Sequence, residues 1–144
     1  MAVRVKRIYE RPQRGDGARV LVDRPWPRGL KKEAADLHSW LKDLAPSDEL
    51  RKWFHTHPQA WMGFRKRYLK ELADESSAED LDALYRLANQ RRNLTLLCAS
   101  KNESHNNAVV LRDLIEGMRK PPTGTGPGGA RVMRDRQAKR MPRP

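Results

Sequence analysis

Apolar positions change their spacing along the chain, and each change marks an element. The segment VRVKRIY, residues 3–9, alternates apolar with basic residues, the period-two pattern of a half-buried strand. ARVLVD, residues 18–23, is rich in β-branched side chains and follows the turn signal Gly15-Asp16-Gly17. LTLLCA, residues 94–99, is an unbroken apolar run, as in a strand covered on both faces. Between the second and third of these runs the period becomes helical. Leu37, Trp40, Leu41 and Leu44 keep the i, i+3, i+4, i+7 spacing and predict a helix that Ala45-Pro46 stops. Ser47 is the expected N-cap of a second helix, with Asp48 and Glu49 in its first turn. Pro58 suits the first turn of a third, whose Trp61, Phe64, Tyr68, Leu69 and Leu72 share one face. Ser77 with Asp80 has the form of a capping box ahead of Leu81, Leu84 and Leu87. Leu111, Leu114, Ile115 and Met118 give the last helix its buried stripe.

The pattern predicts a small α/β domain: a few-stranded, mostly parallel sheet in a three-layer-like arrangement, covered by about five helices. About eight residues separate the first two strands, short for a helical crossover, so that link is either a hairpin or an irregular crossover.

Composition then sets the boundary of the domain. The chain has 144 residues and a formal charge of +12. Residues 121–144 carry +5 of it in a stretch that opens Pro/Gly-rich and turns basic, leaving +7 for residues 1–120. That tail has too few apolar residues to offset the entropy of ordering, so a single domain over 1–120 and an unstructured tail over 121–144 are expected. No run approaches the roughly 18 apolar residues of a membrane span, and the N-terminus lacks the apolar core of a secretory signal. The single cysteine, Cys98, excludes an internal disulfide and suits a reducing compartment. A cytoplasmic location is expected.

Candidate chemistry collects in two loops that leave strand ends, where open α/β sheets bind ligands. One is DRPWPRGL, residues 23–30; the other is SKNESHNN, residues 100–107. With both strands running the same way, Asp23, Arg24, Arg28, Lys101, His105, Asn106 and Asn107 converge on one edge beside the start of the last helix. Arginine offers the planar fork that fits carboxylate or phosphate, and a helix start offers free N–H groups. The competing reading makes Asp23, Arg24 and Arg28 a structural ion-pair cluster, Trp26 a core plug, and Asn106 and Asn107 helix caps. His55 and His57 stand two apart, a spacing that metal sites use. Their place between two helices fits capping equally well, and no metal or other cofactor is expected. Cys98 lies within an apolar strand, where a thiol is usually inert; facing Arg28 and His105 it would instead be a nucleophile.

VLVDRPWPRGL, APSDELRKWFHTHP, FRKRYLKEL and HNNAVVL together resemble the YeaO-like members of the domain-of-unknown-function 488 family, over roughly residues 2 to 117. The resemblance implies a compact bacterial α/β protein and no established activity. Its matched positions are Asp23, Arg24, Trp26, Pro27, Arg28 and Gly29, then Pro46, Ser47, Leu50, Arg51, Trp53, Phe54 and His55, then Asn106, Asn107, Ala108 and Leu111. Two departures from the pattern stand out. Pro25 replaces an apolar, leucine-like residue, and Asn106-Asn107-Ala108 stands where longer relatives carry a Cys-His-Arg group. Thiol or histidine chemistry built on that group does not transfer to this chain.

Three functions are weighed. The first is an enzyme or binding protein for a small anionic ligand, phosphorylated ones included. Arg24, Arg28 and Arg51 would clamp the anion, with Trp26, His55 and Lys101 lining the site. Asp23 or His105 would serve as acid or base, and Asn106 and Asn107 would orient the ligand. Neither a nucleophile elbow nor a P-loop is present to name a reaction. The second is a nucleic-acid-binding protein using the basic surface and the tail 121–144. The third is a structural or interaction protein without catalysis.

Overall fold

The computed structural model describes residues 2–119; the expectation of an unstructured tail falls outside the described residues. Four strands form one parallel sheet: β1 (Ala2–Arg7), β2 (Ala18–Leu21), β3 (Ser39–Trp40) and β4 (Asn93–Cys98), in the order β1-β4-β2-β3. The helices are α1 (Lys32–Ala35), α2 (Asp48–Thr56), α3 (Trp61–Leu72), α4 (Ala78–Gln90) and α5 (Asn107–Arg119). Short 3-10 turns fill Arg14–Asp16, Lys42–Leu44 and Glu75–Ser77. Among the described residues no helix is long and apolar enough to cross a membrane.

The last strand in the chain is central in the sheet. β4 pairs with β1 from Ala2↔Asn93 to Arg7↔Cys98 and with β2 from Ala18↔Leu94 to Leu21↔Leu97. This position explains its unbroken apolar run, since both of its faces are covered. Leu94, Leu96 and Cys98 join Val3, Ala18, Val20 and Val22 in the main core, together with Phe64, Tyr68, Leu84, Leu111 and Ile115 from α3, α4 and α5. Leu97 joins Ile8, Leu21 and Ala35 in a smaller core on the opposite face, closed by Trp26, Leu30, Leu37 and Trp40. One face of the sheet therefore carries the long helices, while the other is covered by loops and the four-residue α1.

β1 and β2 do not form a hairpin. They run parallel with β4 between them, and residues 8–17 make an irregular crossover. Its hinge is Gly17, at φ 65°, where a Cβ would sit 2.2 Å from the Asn93 carbonyl oxygen. Beneath this crossover lies a buried ionic cluster that the periodicity does not announce. The Asp16 carboxylate accepts from Arg19 at 2.6 Å, from Lys6 at 3.0 Å and from the Gln13 N–H at 3.0 Å. Arg19 Nε donates to the Ala35 carbonyl at 3.0 Å, fixing α1 over the same face.

Three sequence expectations need correction. Residues 37–44 are not a helix: His38 and Leu41 donate their N–H groups to Arg19 and Leu21, and Ser39–Trp40 is an edge strand. The helical spacing misleads because its members serve opposite faces of the sheet. Leu37 and Trp40 pack in the smaller core, Leu41 and Leu44 in the main one. Ser77 and Asp80 form no capping box; Ser77 is in helical conformation (φ −96°, ψ −9°). Both side chains instead hold the backbone of Asp43, one at its carbonyl and one at its N–H. Pro58 precedes α3 rather than opening it, in a turn closed by Ala60 N–H to the His57 carbonyl. The expected cap at Ser47 is present, its Oγ accepting from the Leu50 N–H at 3.1 Å.

Candidate functional site

β2 and β4 are parallel neighbours, so the chain leaves both at one edge of the sheet. Val22 extends the β2 ladder with an N–H donated to Leu97, and the chain turns away at Asp23. There the carboxylate joins three segments. Asp23 Oδ2 accepts the Ala99 N–H at 2.8 Å, and Oδ1 accepts from the Asn107 side-chain amide at 2.9 Å. The same amide nitrogen donates to the Val22 carbonyl at 3.0 Å. Burial raises the Asp23 pKa; the Ala99 N–H, the Asn107 amide and the charge of Arg51 offset that rise only in part. Below it, the Tyr68 hydroxyl donates to the Leu44 carbonyl, and burial together with the Asp23 charge holds its pKa well above the ordinary 10.

The loop after Asp23 is anchored by tryptophans. Trp26 Nε1 donates to the Leu30 carbonyl at 2.7 Å, and its ring meets Trp40 edge-on with centroids 5.2 Å apart. Trp40 Nε1 in turn donates to the Asp23 carbonyl at 2.7 Å. Trp26 is thus the core plug of the competing reading. The ion-pair cluster of that reading does not form, because Asp23 spends its oxygens on amides and Arg24 turns to Asp43 at 3.9 Å. Arg28 is exposed; its backbone carbonyl accepts from the Tyr9 hydroxyl at 3.0 Å, and its guanidinium makes no ion pair among the described residues.

The second loop is ordered by its own side chains. Asn102 Oδ1 accepts from the Ser104 and His105 N–H groups, and Asn106 Nδ2 donates to the Asn102 carbonyl. Asn106 caps α5, its Oδ1 accepting the Val109 N–H at 2.9 Å. His105 lies flat on Trp61 of α3, centroids 4.5 Å apart at 12°, and no hydrogen bond joins it to Asp23 among the described residues. Lys101 is exposed. Of the seven residues expected at this edge, Asp23 and Asn107 touch and Asn106 adjoins them. Arg28 and Lys101 stay at the exposed rim, while Arg24 and His105 turn to other elements.

Arg51 and His55 lie on the exposed side of α2, and Arg51 stands 3.5 Å from Asp48. His57 stacks on Trp53 at 5.0 Å. Among the described residues no three His, Cys, Asp or Glu side chains gather as metal ligands. Cys98 is buried, and burial, then the nearby Asp23 charge, pushes its thiol pKa up to about 12. The nucleophile reading therefore lacks its thiolate.

An open groove of about 860 Å³ runs beside α2 and α3, lined among others by Arg24, Asp43, Ser47, Trp53, Arg67 and Glu71. Its charges are largely occupied. Glu71 accepts from the Ser47 N–H and hydroxyl at 2.8 and 2.6 Å, and Arg67 lies 4.1 Å over the Trp53 ring.

Two residues that organise this edge were not singled out from sequence. Arg7 donates to the carbonyls of Ala99 and Ser100, holding the β4 exit. Tyr68 fits its apolar helix stripe, and only the requirement that a buried hydroxyl find a partner marks it out.

Residues 2–125 match the family described as the inactive DUF488-N3 subclade. The uncharacterized protein YeaO of Escherichia coli (strain K12) is 41% identical over 120 residues, covering 82% of this chain and 100% of that protein. The uncharacterized proteins Mb3100c of Mycobacterium bovis (strain ATCC BAA-935 / AF2122/97) and Rv3073c of Mycobacterium tuberculosis (strain ATCC 25618 / H37Rv) are each 40% identical over 115 residues. Each alignment covers 80% of this chain and 94% of the relative. No solved structure matches. With the match running through every strand and helix described above, the chain belongs to the inactive DUF488-N3 subclade.

Proposed function

We propose that this protein is a cytoplasmic, non-catalytic binding domain whose strand-end rim receives a small anionic ligand bearing phosphate or carboxylate groups. The observation that carries this reading is the Asp23–Ala99–Asn107 junction. It ties both strand-end loops into one rigid edge and occupies the carboxylate that would otherwise act as base. Rigid loops cost little ordering entropy on binding, and Arg28 and Lys101, in the two loops that leave this edge, are exposed and make no ion pairs among the described residues. Three further facts favour binding over catalysis: Cys98 with its raised pKa, His105 engaged with Trp61, and a subclade described as inactive. The cytoplasm suits a chain whose single cysteine stays a thiol.

A thermal-shift panel on the full chain tests the reading, with inorganic phosphate, nucleotides, sugar phosphates and dicarboxylates at millimolar concentration. At least one anion is expected to raise the melting temperature of the wild type by a few degrees, because a ligand that binds only the native state stabilises it. A folded Arg28→Ala variant should not respond to that anion. Equal shifts in both proteins would remove Arg28 from the site, and a flat panel would remove the ligand.

A further inference from the structure

The positive charge of the described residues is unevenly divided between the two faces of the sheet. Residues 2–38 hold ten Lys and Arg against five Asp and Glu, whereas residues 39–119 hold thirteen against twelve. The first group supplies β1, β2 and most of the segments that close the smaller core, with Trp40 and Ala99 coming from the second; the second also supplies α2 to α5 over the main core. Apart from Arg24, which turns to Asp43 beside the helices, the segments over the loop-covered face are therefore basic, while the helical segments are nearly neutral. Arg19 and Lys6 on this face share Asp16 as their counter-ion, which leaves one net positive charge in the cluster. Arg4, Arg11, Arg14, Lys31 and Lys32 are all exposed and make no ion pair among the described residues. Arg4 Nη1 reaches the Gly15 carbonyl at 3.3 Å, which places it beside the crossover that carries Arg11 and Arg14. Lys31 and Lys32 open α1 on the same side, where Arg19 Nε holds Ala35. Tyr9, 43% exposed, stands on this crossover with the Arg7 guanidinium 5.2 Å from its ring centre.

We infer that this face binds single-stranded nucleic acid, with the unpaired cations on the phosphates and the Tyr9 ring as a stacking platform for a base. The inference does not rest on the small-ligand reading of the rim. Unpaired cations that share a face with an exposed aromatic ring form the arrangement that single strands use, because phosphates recur along the strand and every base has a face to stack. Sequence readout in a duplex major groove needs a helix or a two-stranded ribbon that can enter it. Among the described residues the α-helix on this face is α1, of four residues. Among those residues the face also carries no long amphipathic helix that would lie in a membrane surface.

The test uses the full chain, a 5′-fluorescein-labelled 20-nucleotide oligothymidylate and fluorescence polarisation between 50 and 200 mM NaCl. Two double charge reversals are compared, Arg11→Glu with Arg14→Glu on the loop-covered face and Lys52→Glu with Lys66→Glu on the helical face. All four side chains are exposed, and the net charge changes equally. The first pair is expected to weaken binding at least about tenfold at 50 mM and to flatten the salt dependence by about 1.4 in slope, since each single-strand phosphate contact contributes about 0.7. The second pair should change affinity less than about twofold. Tyr9→Phe, which keeps the ring and loses the hydroxyl bond to the Arg28 carbonyl, should retain most of the affinity, and Tyr9→Ala should bind several-fold more weakly than Tyr9→Phe. The inference is overturned by absence of binding at 50 mM, by equal losses in the two double variants, or by a complementary duplex that binds as well as the single strand. It is also overturned if phosphatidylserine vesicles, rather than the oligonucleotide, respond to the Arg11/Arg14 reversal.

Discussion

Cys98 and Asp23 lie close enough for the charge of one to act on the other, and both are held out of reactive states by where the strands end. A thiol whose pKa moves from 9.0 to about 12 offers roughly a thousandfold less thiolate at neutral pH. In the native protein at pH 8, iodoacetamide is therefore expected to leave Cys98 unmodified over hours, while the urea-unfolded chain is alkylated within minutes; intact mass reads both. Rapid native labelling would mean that the strand end opens. At this scale the sequence was informative about residue types and less so about their partners. Asp23, Asn106 and Asn107 were identifiable because short polar side chains followed apolar runs. That Asn107 reaches back to β2 rather than capping its own helix depends on the sheet order, which no local pattern encodes. Arg28 and Lys101 were identifiable as cations, but their freedom from partners was not.

Among the elements, the crossover 8–17 is the least regular and the most constrained. Gly17 combines a positive φ with a Cβ position 2.2 Å from the Asn93 carbonyl oxygen, whereas Gly29, at φ 77°, has open space where its Cβ would lie. Gly17→Ala is expected to cost at least about 2 kcal/mol, since backbone strain adds to a collision with the central strand. Gly29→Ala should cost only about 1 kcal/mol, from strain alone. Urea midpoints compare the two, and equal costs would mean that β4 yields freely at Asn93. The strands β1, β2 and β4 and the helices α2 to α5 were legible because each buries one consistent face or is buried throughout. β3 was read as helix because two residues cannot display a period, and Leu37 to Leu44 supply opposite faces of the sheet at what looks like helical spacing. A two-residue edge strand is defined by its neighbour's free hydrogen bonds, not by its own composition.

For the molecule as a whole, the buried charges set its response to acid. Burial would raise the pKa of Asp16, but the hydrogen bonds from Lys6, the Gln13 N–H and Arg19 outweigh it and hold the carboxyl below the ordinary 3.8. The unfolded chain then takes up this proton at a higher pH than the folded one. The stability that Asp16 contributes is complete above about pH 5 and is lost as the pH falls through 3.8 toward the native value. Urea melts from pH 7 to pH 3 should show this loss in the wild type. Asp16→Asn should be less stable by about 3 kcal/mol at pH 7, where Lys6 and Arg19 lose their counter-charge. The two proteins should converge on acidification, and parallel curves would exclude Asp16 as the group responsible.

The order of the strands also governs how the chain can be built. β4 fills the gap between β1 and β2, although Ala2 and its partner Asn93 stand 91 residues apart in the chain. During synthesis, then, the first two strands emerge with nothing to pair with each other. The helices α2 to α4 likewise have only the short β2–β3 pair to rest on until Asn93–Cys98 is released. Closing so long a loop is slow, so β1 stays unpaired through most of translation, while β2 has only the two-residue β3 beside it. Folding becomes a late event, in which the insertion of six residues joins both cores and α5 then closes the main one.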